Sequence, residues 1–65
     1  METFLDRLKI EHDELHKKIK DLSAFISTDD YYKLSKANKI LLSQQLNHMV
    51  NYREILIVRL ELNSK

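Results

Sequence analysis

The 65-residue chain contains no glycine, no proline, no cysteine and no tryptophan. Average usage would supply about four or five glycines and about three prolines. Positive-φ positions and rigid corners default to those two residues, and tight β-turns depend on them. An all-β or α/β fold is therefore not expected. Without cysteine there is no disulfide framework and no thiolate zinc site. An excess of charge of one sign is also missing: eleven Lys or Arg against ten Asp or Glu leave a formal charge of +1. A dedicated duplex-DNA binder is strongly basic, so neither sequence-specific DNA binding nor bulk capture by a membrane surface is expected. The longest apolar runs, Ile40 to Leu42 and Ile55 to Val58, fall far short of the roughly 18 to 20 residues that cross a bilayer. The first residues carry acids and no apolar signal core, so the expected location is the cytoplasm.

What the chain does have is helical periodicity. Leu5, His12, Ile19 and Ile26 recur every seven residues and interleave with Leu8, Leu15 and Leu22. That is a heptad seam with one polar member, His12. The pattern predicts a helix over about residues 3–26. Ser27, Thr28, Asp29 and Asp30 bond their own backbone readily, so they stop that helix and are placed to cap a short turn through Tyr31 and Tyr32. Ser35 is the natural N-cap of a second helix over about residues 36–62. The two helices measure roughly 36 and 40 Å, and matched lengths with a short connector over about residues 27–35 imply an antiparallel hairpin.

The expected fold is thus all-α, a single coiled-coil-like two-helix hairpin. If the connector is centred near Leu34, Ile26 faces Leu42, Leu22 faces Leu46, Leu15 lies by Tyr52 or Arg53, and Leu8 lies by Leu60. The second helix shows a seam of Leu42, Met49 and Leu56 joined by Gln45, Tyr52 and Arg59, and its C-terminal half is apolar almost all round. One partner helix cannot cover that girth. A chain this short gains little more from burial than it loses in ordering, and association is the remaining device. Leu41, Val50, Ile55, Ile57, Val58 and Leu62 are accordingly the expected interface of a homo-oligomer.

Three constellations bear on chemistry. His12 and His16 stand one turn apart, the spacing that lets two imidazoles reach one metal. The catalytic Glu of the H-E-x-x-H pattern is replaced by Asp13 and no third ligand is evident. His12 as a register-setting seam residue and His16 as a solvated one is the preferred reading, and neither a metal nor a cofactor is expected. The second constellation is a stretch of thirteen residues, Ile40 to Tyr52, without a formal charge in a chain that is 32% charged. Within it Gln44, Asn47, His48 and Asn51 share one helix face. Solvated faces usually carry Lys and Glu, so this one is suited to meet another helix or a small polar ligand. The third comprises Arg53 and Arg59 near Tyr52, with Tyr31 and Tyr32 at the hairpin tip. Guanidinium and aromatic groups hold phosphates and stack bases. The competing structural reading pairs Arg59 with Glu11 or another first-helix acid, adds the Tyr52 hydroxyl to that network and lets Tyr31 and Tyr32 close the hairpin end. No nucleophile, base or phosphate loop of an enzyme is recognisable.

Leu41-Leu42-x-x-Gln45-Leu46-x-x-Met49-x-x-Tyr52-x-x-Ile55-Leu56-x-x-Arg59-Leu60, preceded by Leu22-x-x-Phe25-Ile26-Ser27 and Leu34-Ser35, resembles the crAss-phage-related small proteins of phages and prophages. The first helix matches more loosely, through Glu11, Leu15 and Ile19, and the resemblance spans about residues 4–62. It implies a viral accessory protein without an established activity. Such proteins often work by occupying a host component, by analogy of origin. The expected function is non-enzymatic: an immune-evasion factor whose oligomer sequesters an anionic, cyclic nucleotide signal. Arg53 or Arg59 would take the phosphate, a tyrosine would stack, and Asn47, His48 or Asn51 would read the base. The runner-up is a module that docks on a host protein through its apolar C-terminal face.

Overall fold

The computed structural model describes residues 3–64 and consists of α1 (Phe4–Ile26), α2 (Asp29–Tyr32) and α3 (Lys36–Asn63). Helices α1 and α3 pack side by side as a hairpin, forming a rod of 46 × 18 × 14 Å. The all-α hairpin expected from periodicity is what the structure shows, with the short connector turn realised as α2.

Each helix begins on a hydroxyl. Thr3 Oγ1 accepts from the Asp6 N–H at 3.1 Å while the Thr3 N–H donates to Asp6 Oδ2 at 3.3 Å, a reciprocal capping box. At the start of α2, Thr28 Oγ1 accepts from the Tyr31 N–H at 3.4 Å and donates to the Phe25 carbonyl at 2.6 Å. One side chain thereby ends α1 and begins α2. Ser35 Oγ accepts from the Asn38 N–H at 3.2 Å. Since α3 is the longer partner of the hairpin, Ser35→Ala is expected to cost about 1 kcal/mol. That corresponds to a fall of about 4–8 °C in melting temperature for a domain of this size, read by circular dichroism. No described residue has a positive φ, which is how a chain without glycine makes its bend.

The core lies where α1 and α3 meet. Leu8, Leu15 and Ile19 of α1 and Leu56 of α3 are buried, with Leu46, Met49, Val50 and Leu60 packed against them. The remaining α1 seam positions, Leu5, His12, Leu22 and Ile26, are half-buried, so the α1 pattern translates directly into packing. On α3 the seam differs from the expected one. Leu42, Leu46, Met49, Arg53, Leu56 and Leu60 form a half-buried or buried row at alternating spacings of four and three, with Lys39, Val50, Ile57 and Arg59 half-buried beside it; of the expected polar members Arg59 is thus half-buried, whereas Gln45 and Tyr52 are exposed. The helix is rotated toward Leu46 and Leu60 because this buries two leucines in place of an amide and a phenol.

At the closed end, Tyr31 is buried and its hydroxyl lies 3.3 Å from both the Lys39 carbonyl and Ser43 Oγ. Its ring meets Phe25 edge-on, with centroids 6.3 Å apart. Tyr31 ties α2 to the first turns of α3. No helix among the described residues is long and apolar enough to cross a membrane.

Candidate functional site

Midway along the rod, the apolar seam of α3 is interrupted by Arg53. Its stem runs in line with Met49 and Leu56, and its side chain is 22% exposed. The Arg53 Nη1 group donates to His16 Nδ1 on α1 at 3.1 Å. A guanidinium has no acceptor, so this bond uses the lone pair of His16 Nδ1. The nearest carboxylate, Glu54 Oε1, is 3.7 Å from Arg53 Nη2 and well exposed. Arg53 Nε is buried with no hydrogen-bond partner.

His12 and His16 stack with centroids 6.0 Å apart and planes at 8°. This parallel stacking follows from their one-turn separation on α1. His12 Nδ1 lies 3.1 Å from Asp13 Oδ1, so α1 itself orients that ring. Among the described residues no three His, Cys, Asp or Glu side chains come together as a metal-binding group. The pair instead forms an imidazole wall beside a guanidinium, which offers N–H donors and positive charge. Such a set suits an oxyanion, and the forked, planar Arg53 group can bind one bidentately.

The other candidate residues are spread along the rod. Arg59 stands toward the open end, its guanidinium 5.8 Å over the Phe4 ring, and no ion pair to Glu11 forms among the described residues. Tyr52 is exposed next to Arg53 in sequence. At the closed end Tyr31 has its hydroxyl engaged, while Tyr32 lies exposed with Lys39 Nζ 5.8 Å over its ring. Asn47, His48 and Asn51 are exposed on a face of α3 away from Arg53, so one chain does not bring the amides and the guanidinium together. Of the expected interface residues, Leu41, Ile55, Val58 and Leu62 are exposed, whereas Val50 packs on the core and Ile57 is half-buried. Sequence reasoning did not single out His16 as the partner of Arg53. A partial signal was there, since the hairpin register sets Leu15 beside Tyr52 or Arg53 and His16 is the next residue.

Comparison of the chain with curated proteins and with solved structures gives no match. A family model described as Sequestin matches residues 2–62. That span takes in all three helices and the Arg53 cluster almost from end to end, and the chain belongs to the Sequestin family.

Proposed function

We propose that this chain works by stoichiometric binding, as a homo-oligomer that takes an anionic, cyclic nucleotide signal out of circulation on behalf of a phage. The family name, Sequestin, speaks for sequestration, and the resemblance to crAss-phage-related small proteins speaks for a viral accessory role in immune evasion. The observation that carries the ligand class is Arg53, a guanidinium held between two helices by the His16 ring and, among the described residues, paired with one exposed carboxylate, Glu54. A positive charge placed in an apolar seam costs stability, and an incoming phosphate would recover that cost as charge-assisted hydrogen bonds.

A rod two helices thick presents shallow, convex faces, so enclosing a nucleotide takes more than one copy. In the oligomer Arg53 or Arg59 would hold phosphate and Tyr52 or Tyr32 would stack on the base. Titration calorimetry against a panel of cyclic and linear nucleotides tests this. One nucleotide class should bind with saturable stoichiometry and be recovered chemically unchanged after denaturation, which separates sequestration from turnover. An absence of heat with the whole panel would sink the reading. A second reading, docking on a host protein, rests on the exposed Ile55, Val58 and Leu62. It predicts recovery of one stoichiometric host protein, lost in Ile55→Glu.

A further inference from the structure

Helix α3 carries a second heptad seam on the side turned about 150° from the one that meets α1. It runs from Ala37 to Leu62 at alternating spacings of four and three residues and contains no Lys, Arg, Asp or Glu. Every position on it is exposed, and its large apolar members stand out: Leu41 60%, Ile55 57%, Val58 52% and Leu62 68%. An uncharged, half-apolar stripe the length of a helix is not a solvated face.

The stripe is complementary to itself when reversed. Laid antiparallel on a second copy, Ala37 meets Leu62, Leu41 meets Val58, Gln44 meets Ile55, and His48 meets Asn51, all in one unbroken register. Small faces large at the ends, so the layer volumes stay even. The central layers set an imidazole against an amide, two groups that can hydrogen-bond in either tautomer. The Gln44 methylenes can cover Ile55 with the amide at the rim. The flanking positions place Glu54 opposite Asn47, Glu61 opposite Ile40 and Arg59 opposite Asn38, so no like charges face each other. A parallel arrangement gains one exposed Glu54 to Arg59 pair, which is worth little at a rim. It would set Ala37 against Ala37 and His48 against His48, leaving a void at one end and like imidazoles at the centre.

We propose that two chains pair antiparallel along this stripe, with the twofold axis between the His48 and Asn51 layers and each α1 on the outside. This deepens the self-association in the function proposed above by naming its surface, direction and register. It explains why α3 is apolar on two opposite sides while α1 is apolar on one.

The absence of native cysteine makes the geometry testable. Sedimentation equilibrium of the unaltered chain at micromolar concentration should give twice 7.8 kDa, and the mass of a single chain would overturn the proposal. Ala37→Cys and Leu62→Cys chains, mixed and gently oxidised, should give predominantly the mixed disulfide, because only antiparallel pairing brings those two positions within the roughly 7 Å a disulfide spans. Like-with-like disulfides as the main product would overturn it. Val58→Glu, on an exposed position, should keep full helix content and sediment as a single chain; a persistent dimer would overturn the surface assignment. None of these readouts involves a nucleotide, so failure of ligand binding and failure of the pairing are told apart.

Discussion

Arg53→Leu is expected to make the hairpin more stable and to abolish anion capture at the same time. The guanidinium interrupts a seam otherwise made of Leu42, Leu46, Met49, Leu56 and Leu60, and its Nε is buried without a partner. An unsatisfied buried donor costs about 1–3 kcal/mol. With the side chain still 22% exposed, the lower end of that range applies after solvent screening. Leucine should therefore gain about 1 kcal/mol, or about 4–8 °C in a circular dichroism melt. Calorimetry on the same sample should show nucleotide affinity falling by at least about tenfold, since a hydrogen bond to a charged group contributes about 1.5–3 kcal/mol. A variant that melts higher yet no longer binds cannot owe its loss to unfolding. Unchanged affinity would remove Arg53 from the site, and a lower melting temperature would show that its bond to His16 outweighs its burial.

Leu56→Ala has the opposite character and the largest effect on folding. Leu56 is 0% exposed and the most deeply buried side chain of the core. Removing three methylene-sized groups there costs about 2–5 kcal/mol, the spread depending on how far the neighbours close the gap. A 65-residue chain has a net stability of only about 3–10 kcal/mol, so the variant should melt at least about 10 °C lower in a thermal scan. Leu41→Ala is the matched control, because Leu41 is 60% exposed and its truncation leaves the core intact. If Leu56→Ala and Leu41→Ala melt alike at concentrations where the chain is single, the α1 to α3 core is not what holds the hairpin.

The fold was legible because α1 has one apolar face. A heptad of Leu5, Leu8, Leu15, Ile19, Leu22 and Ile26 with one polar member admits a single rotation of the helix, and the hydroxyls of Thr28 and Ser35 stand where the backbone changes direction. The T-x-x-D box at Thr3 is a weaker signal, since Asp is a rarer third member of that motif than Glu. On α3 the pattern was ambiguous for a physical reason. Its apolar residues are spread around the whole girth, so Leu42, Met49 and Leu56 fit a seam completed either by Gln45, Tyr52 and Arg59 or by Leu46, Arg53 and Leu60, and only packing against α1 chooses. The same ambiguity hid the site. Arg53 was recognised as a phosphate group's natural partner, but its contact with His16 spans the hairpin and depends on a rotation that periodicity leaves open. Asn47, His48 and Asn51 shared a face as expected, and it is the face opposite the guanidinium.

The two ends of the rod are fastened unequally. At the tip, Tyr31 rivets the connector to the Lys39 carbonyl and to Ser43, whereas at the other extremity the tie across the helices is the looser stacking of Arg59 on Phe4. The rod is thus pinned by polar bonds where the chain reverses and by the driest apolar packing, Leu8 and Leu56, toward its open end, so the two extremities respond to different solvents: urea competes for the first kind of fastening and detergent-like amphiphiles for the second.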